Sequence, residues 1–141
     1  MKMYGEGADP RNATLTTGET VGGAGILLTF TGTANTVETT DATDICIGVS
    51  AGDSTRDVDG NLQTSAGALV SYYPLGGVLM VQCEASQTFT TGATVYVGGS
   101  GLATATAGSN KKLGLYLGEG VTTGSSAGDL VPVNTQGAAI A

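Results

Sequence analysis

The chain contains no histidine and no tryptophan in 141 residues. Without histidine it lacks the side chain that titrates near neutral pH and serves most often as general base and metal ligand. Without tryptophan, and with five Tyr and two Phe, it has few ring platforms for a sugar-binding cleft. Charge is scarce too. Only 12% of residues are Asp, Glu, Lys or Arg, about half the usual share. The five bases, Lys2, Arg11, Arg56, Lys111 and Lys112, form no patch beyond one adjacent pair, and the net charge is −7. Nucleic acid is therefore excluded as a partner, because phosphate recognition needs a basic footprint. The longest apolar stretch, Ile26-Leu27-Leu28, is far too short to cross a bilayer as a helix, and no membrane partner is expected. The opening Met1-Lys2-Met3-Tyr4-Gly5-Glu6 has no apolar h-region. Two cysteines, Cys46 and Cys83, are too few for a disulfide scaffold. Each lies in an apolar run and reads as a buried reduced thiol. The sequence leaves a single bridge between them open, since bridging is a matter of geometry.

Glycine is abundant, at 24 residues, with Thr and Ala filling much of the remainder. Apolar residues do not recur with helical spacing over any useful window. Short β-rich runs bounded by Gly, Asp, Asn and Ser take their place. They fall at Gly25–Thr31, Thr36–Glu38, Ile45–Ser50, Ala66–Tyr73, Val78–Cys83, Thr94–Val97, Leu102–Thr106, Leu113–Leu117 and Leu130–Val133. Turn chemistry separates them at Asp59-Gly60-Asn61, Pro74-Leu75-Gly76-Gly77 and Gly98-Gly99-Ser100-Gly101. This pattern predicts an all-β fold, a compact β-barrel or β-sandwich of short strands. Residues 1–22 are polar and aperiodic and read as an extended N-terminal arm docked on a neighbour, with residues 23–141 forming a single β domain. Both faces of Val78-Leu79-Met80-Val81 are apolar, which suits a barrel strand that also meets a neighbour. Ile47-Gly48-Val49 is echoed by Leu113-Gly114-Leu115. A shared local need for glycine where another backbone approaches explains the echo without a duplication.

Candidate chemistry is thin. Gly124-Ser125-Ser126-Ala127-Gly128 matches G-x-S-x-G, but a nucleophile elbow requires a following helix and a histidine. Asp57-Val58-Asp59-Gly60-Asn61 resembles the opening of a calcium loop. Leu62 and Ala68, however, stand where an EF-hand needs Gly and Glu. Asp53, Asp57 and Asp59 are retained as the candidate ligands of a loose Ca²⁺ site. The chain is expected to be no enzyme and to use no cofactor. Tyr72-Tyr73-Pro74 is the one local aromatic cluster and the candidate contact with a partner, since aromatics are enriched at interface centres. Gly48, Gly92, Gly114 and Gly128 are candidate structural glycines.

Ordered landmarks carry a further reading. They are Ile47-Gly48-Val49, Ala66–Ser71, Gly77-Val78-Leu79-Met80-Val81, Phe89–Tyr96, Gly101–Thr106, Leu113-Gly114-Leu115 and Gly128-Asp129-Leu130-Val131-Pro132-Val133. In that order they resemble a family of small capsid decoration (cement) proteins of tailed viruses, with Ala93 where the family pattern has an acid. The resemblance spans residues 45–133. It implies a compact β domain on the exterior of a capsid lattice, clustered as homotrimers, with the major capsid protein and further copies of itself as partners. Such a protein would be made in the host cytoplasm without a signal peptide and end in the virion. The competing expectation is a receptor- or glycan-binding β module of a virus tail, a fibre or a cell surface.

Overall fold

The computed structural model describes residues 10–136. Within them lie twelve short strands and one 3-10 turn, Gly99–Gly101, with no α-helix. Strands β1 (Arg11–Leu15), β2 (Leu27–Phe30), β3 (Thr36–Thr39), β4 (Gly48–Ser50) and β5 (Leu69–Pro74) close a barrel in the order β1-β3-β2-β4-β5. All its ladders are antiparallel except β1 with β3. Strands β6 (Val78–Gln82), β8 (Thr94–Val97), β9 (Ala103–Thr104), β10 (Lys112–Tyr116) and β12 (Leu130–Asn134) build a second sheet in the order β6-β12-β10-β8-β9. The ribbon of β7 (Thr88–Phe89) and β11 (Val121–Thr122) lies beside it. The expected all-β class, compact and barrel-like, is what the chain adopts.

The second sheet curls until its ends touch. Cys83, just past β6, makes an isolated parallel bridge to Ala103 of β9, and the Glu84 N–H donates to the Ala103 carbonyl at 2.9 Å. With that bridge counted, its pairing scheme repeats the barrel's strand for strand, with β6, β8, β9, β10 and β12 taking the places of β1 to β5. The register repeats as well. The parallel pair Leu15↔Val37 corresponds to Cys83↔Ala103, and Ala13↔Val70 to Val81↔Val131. Leu28↔Gly48 corresponds to Val95↔Gly114, and Val49↔Tyr73 to Leu115↔Asn134. The echo between Ile47-Gly48-Val49 and Leu113-Gly114-Leu115 is therefore more than a coincidence of local needs. The need recurs because the whole strand arrangement recurs.

Two cores follow. The barrel holds Ala13, Leu15, Val21, Leu28, Val37, Val70 and Tyr72 inside it. The second core is lined by Leu79, Val81, Val95, Val97, Leu113, Val131 and Val133 of the curled sheet, together with Phe89 of β7. It is completed by Leu27, Cys46 and Val49, which reach it from the outside of the barrel. Strand pleating explains how β2 serves both cores, since successive side chains point to opposite faces. Leu28 points into the barrel and Leu27 into the second core, so the run Ile26-Leu27-Leu28 is apolar on both faces.

The arm expected over residues 1–22 does not hold from Arg11 onward, and residues 1–9 lie outside the described part. Arg11–Leu15 is a barrel strand laddered to both β3 and β5. Val21 is fully buried, and its N–H donates to the Ser54 hydroxyl at 3.0 Å. The segment looked aperiodic because its buried positions, Ala13, Leu15 and Val21, are few and unevenly spaced. A barrel lacking β1 would leave the ladder edges of β3 and β5 unpaired.

Candidate assembly surface

The acidic turn is built around its own carboxylates. One Asp53 oxygen pairs with the Arg56 guanidinium at 2.8 Å and the other accepts the Gly23 N–H at 2.6 Å. The guanidinium, and then that N–H, hold the Asp53 carboxyl below its ordinary range. One Asp57 oxygen accepts the N–H groups of Asp59 and Asn61 at 2.9 and 3.0 Å, and the Arg56 guanidinium donates to the Gly60 carbonyl at 2.7 Å. Asp53, Asp57 and Asp59 do not converge on a point, and the described residues contain no cluster of three metal-ligating side chains. The D-x-D-x-N spacing here serves an Asx-type turn, which ligand spacing alone does not distinguish from a metal loop. The Gly124–Gly128 segment is an exposed bend whose Gly124 N–H donates to Asp129 at 2.8 Å.

The aromatic cluster turns out to join the two cores. Tyr72 is buried inside the barrel, while Tyr73 and Leu75 pack against the second core. Pro74, which ends β5, is partly buried. Tyr72 and Tyr73 thus serve core packing, because β5 presents one face to each core, while Tyr73 and Pro74 keep part of their surface exposed. Gly48 and Gly114 occupy equivalent places and are crowded in the same way. A Cβ at Gly48 would stand 2.5 Å from the Tyr72 ring and 2.7 Å from the Tyr73 carbonyl oxygen. A Cβ at Gly114 would collide with the Asn134 carbonyl. Gly92 and Gly128 lie in turns with φ +81° and +115°, where L side chains are strained. Cys46 and Cys83 are both buried and free. Burial pushes the Cys46 thiol up to about 12 and raises Cys83 as well.

Large apolar side chains are exposed on the barrel at Phe30, Ile45 and Leu69, and others form a continuous row on the outer face of the curled sheet. Along β6, Leu79 and Val81 turn inward while Val78 and Met80 face out. Along β12, Val131 and Val133 turn inward while Leu130, Pro132 and Asn134 face out. The register aligns Met80 with Pro132 and Val78 with Asn134, and sets Asn134 beside Leu115. The Leu117 N–H donates to the Pro132 carbonyl at 3.1 Å, which places Leu117 in the same row. Leu115, Leu117 and Leu130 are 44%, 46% and 49% exposed, a large fraction for three leucines on one sheet. The outward strand positions carry no carboxylate, and Lys112, paired with Tyr96, is their one charge. The doubly apolar run Val78–Val81 was the signal for this face in the sequence. The leucines of β10 were not legible, because a bulge between Lys112 and Gly114 shifts the alternation.

A second feature is a groove of about 410 Å³ at the barrel mouth, lined by Thr14, Thr16, Thr17, Thr31, Thr33, Thr36 and Glu38 with Leu15, Ala66 and Gly67. It is rich in hydroxyls and has no aromatic ring.

No protein-family model matches the chain, and no curated protein matches it. Among solved structures, the chain is similar to the head fiber gp8.5 N base of bacteriophage phi29. That likeness covers 89% of this chain and 92% of the other, at 19% identity and a TM-score of 0.49. The landmarks that carry the resemblance to decoration proteins fall for the most part on the curled sheet. Gly77–Val81 covers β6, Phe89–Tyr96 runs from β7 into β8, Gly101–Thr106 contains β9, Leu113–Leu115 lies in β10 and Gly128–Val133 enters β12.

Proposed function

We propose that this chain is a non-enzymatic structural protein of a virus shell, a decoration protein that binds the outside of the capsid lattice in clusters of three and holds neighbouring capsid subunits together. The observation that carries this reading is the apolar, carboxylate-free outer face of the curled sheet, on a body whose titratable groups form no convergent site among the described residues. Patches of this kind on a soluble surface mark association. The ordered landmarks add the capsid lattice as the place where association occurs. Many copies each making a modest contact suffice on a lattice, because avidity multiplies weak contacts. The major capsid protein is the partner, and the virion exterior is the location.

Quantitative mass spectrometry of purified particles tests this reading. The expected result is about one copy of this chain per major capsid subunit. A few copies per particle, or none, overturns lattice decoration. The threonine-lined groove favours a second reading, a glycan-binding module of a tail or fibre. Low copy number together with binding to a glycan array would select it.

A further inference from the structure

We propose that the groove at the barrel mouth binds a neutral saccharide, recognised by the Glu38 carboxylate and by threonine hydroxyls that the fold leaves unspent. The proposal rests on the second reading above and names the ligand class of its groove. Two short rows make the floor. Ala13 and Leu15 of β1 and Val37 of β3 point into the barrel, so Thr14, Thr16, Thr36 and Glu38 point out of it. β1 and β3 run parallel with Thr14 beside Thr36, and the Thr16 N–H continues the ladder to the Val37 carbonyl at 3.0 Å. Side chains in such rows stand about 5 Å apart across the strands and about 7 Å apart along them, a spacing comparable to a pyranose ring. Some of the hydroxyls are used by the fold. Thr16 donates to the Val37 carbonyl at 3.2 Å, Thr31 to the Thr36 carbonyl at 3.4 Å and Thr36 to the Ala34 carbonyl at 3.3 Å. The Thr14, Thr17 and Thr33 hydroxyls and the Glu38 carboxylate line the groove and hydrogen-bond to no described residue.

These unspent groups decide the ligand. A hydroxyl donates and accepts, while a carboxylate only accepts, so the complement is a molecule with several hydroxyls of its own. An acidic ligand would meet Glu38 on a chain of net charge −7. An apolar ligand would strip water from these groups and leave them unpaired. A bound cation needs more oxygen ligands than one carboxylate, and no cluster of three metal-ligating side chains occurs among the described residues. The internal repeat shows that the open hydroxyls are particular to the barrel. Thr36 and Glu38 correspond to Leu102 and Thr104 of the curled sheet. There Leu102 packs on the barrel core, and Thr104 is 1% exposed with its hydroxyl donating to Gln87 at 2.9 Å. With no ring to stack on, one groove holds a saccharide weakly, and copies sharing a particle strengthen the hold by avidity.

The test is an NMR titration of the full chain, following backbone amides, with the methyl glycosides of glucose, galactose and mannose and, separately, with sialic acid. The expected result is saturating shifts with at least one methyl glycoside, confined to Thr14–Thr17, Thr31–Glu38 and Ala66–Gly67, and none with sialic acid. Glu38→Gln and Thr14→Val, each with an unchanged circular dichroism spectrum, should weaken that binding several-fold. Val58→Glu, at the exposed tip of the acidic turn, should bind as the wild type does. Groove amides that no methyl glycoside shifts overturn the proposal, as do sialic acid binding of equal strength and folded Glu38→Gln and Thr14→Val variants that both bind as the wild type. Binding on a glycan array that leaves the groove amides unshifted also overturns it, yet leaves the glycan-binding module standing. Saturating groove shifts in a protein present at about one copy per capsid subunit uphold the groove and refute the tail or fibre module.

Discussion

The barrel and the curled sheet share topology and register, yet they differ in self-sufficiency. The barrel core is filled almost wholly by its own side chains, from Ala13 to Tyr72, with Leu102 packing at its margin. The curled sheet takes Leu27, Cys46 and Val49 from the barrel into its core. It also closes on itself through one bridge where the barrel has continuous ladders. A strand arrangement of this kind does not need full closure when a neighbour supplies part of its filling. What separates the two units is therefore which of their faces are covered, rather than how their strands pair.

The widest gap between equivalent positions is expected at Leu27 and Thr94. Leu27→Ala removes a fully buried side chain from between the units and should cost about 3 kcal/mol in urea unfolding. Thr94→Ala, at the matching surface position, should change stability by less than about 0.5 kcal/mol. Comparable losses at both would mean that the two faces are not differently covered. Gly48→Ala and Gly114→Ala probe the likeness in turn. Each added methyl meets a backbone carbonyl of the neighbouring strand and should cost about 2 kcal/mol by overpacking. Tolerance at one glycine and collapse at the other would break the equivalence.

Two further effects depend on pH, and they run in opposite directions. The Cys46 thiol, one of the side chains the barrel lends to the second core, has its pKa raised from 9.0 to about 12. Its contribution to stability is complete below pH 9.0 and is lost as pH rises toward about 12, because the unfolded thiol ionises first. Cys46→Ala should flatten that alkaline decline in the urea midpoint. Asp53 behaves oppositely, with its pKa lowered from 3.8. Its contribution is present above that value and is lost as pH falls through the folded value. The protection factors for hydrogen exchange in the turn from Asp53 to Gln63, corrected for the intrinsic exchange rate at each pH, should fall at acid pH and in Asp53→Asn.

Much of the strand map was legible in the sequence. Thr94–Val97 has the predicted bounds, and eight other strands fall on or within a residue or two of predicted runs, because β-branched residues and turn glycines mark them. β1 was illegible, since Asn12 and Thr14 face outward and Ala13 is small. β7 and β11, of two residues each, are too short to show alternation. The repeat was almost invisible for another reason. Its spacing drifts from 68 residues between Ala13 and Val81 to 61 between Val70 and Val131, so loops of unequal length hide it. Side-chain identity is not kept either, because the interior requires only bulk at Leu28 and Val95. The glycines survive as a trace because a crowded backbone admits no other residue. Of the candidate residues, the acids and the aromatics were visible as clusters. Their roles were not, since spacing does not report which core a strand face meets.

The early strands also impose an order of events. β1 cannot close its barrel until Leu69–Pro74 has been made, because its antiparallel partner is some sixty residues away. β6 likewise waits for Leu130–Asn134. Such distant pairings make for slow folding, on the order of milliseconds to seconds. On the ribosome the first barrel can be complete while the later strands are still emerging, and it then displays Leu27 and Val49 as a ready-made apolar floor. The second unit can condense on that floor as it appears. The chain thus carries its own template in its first half, and its slowest step should be the docking of Leu130–Asn134 between β6 and β10.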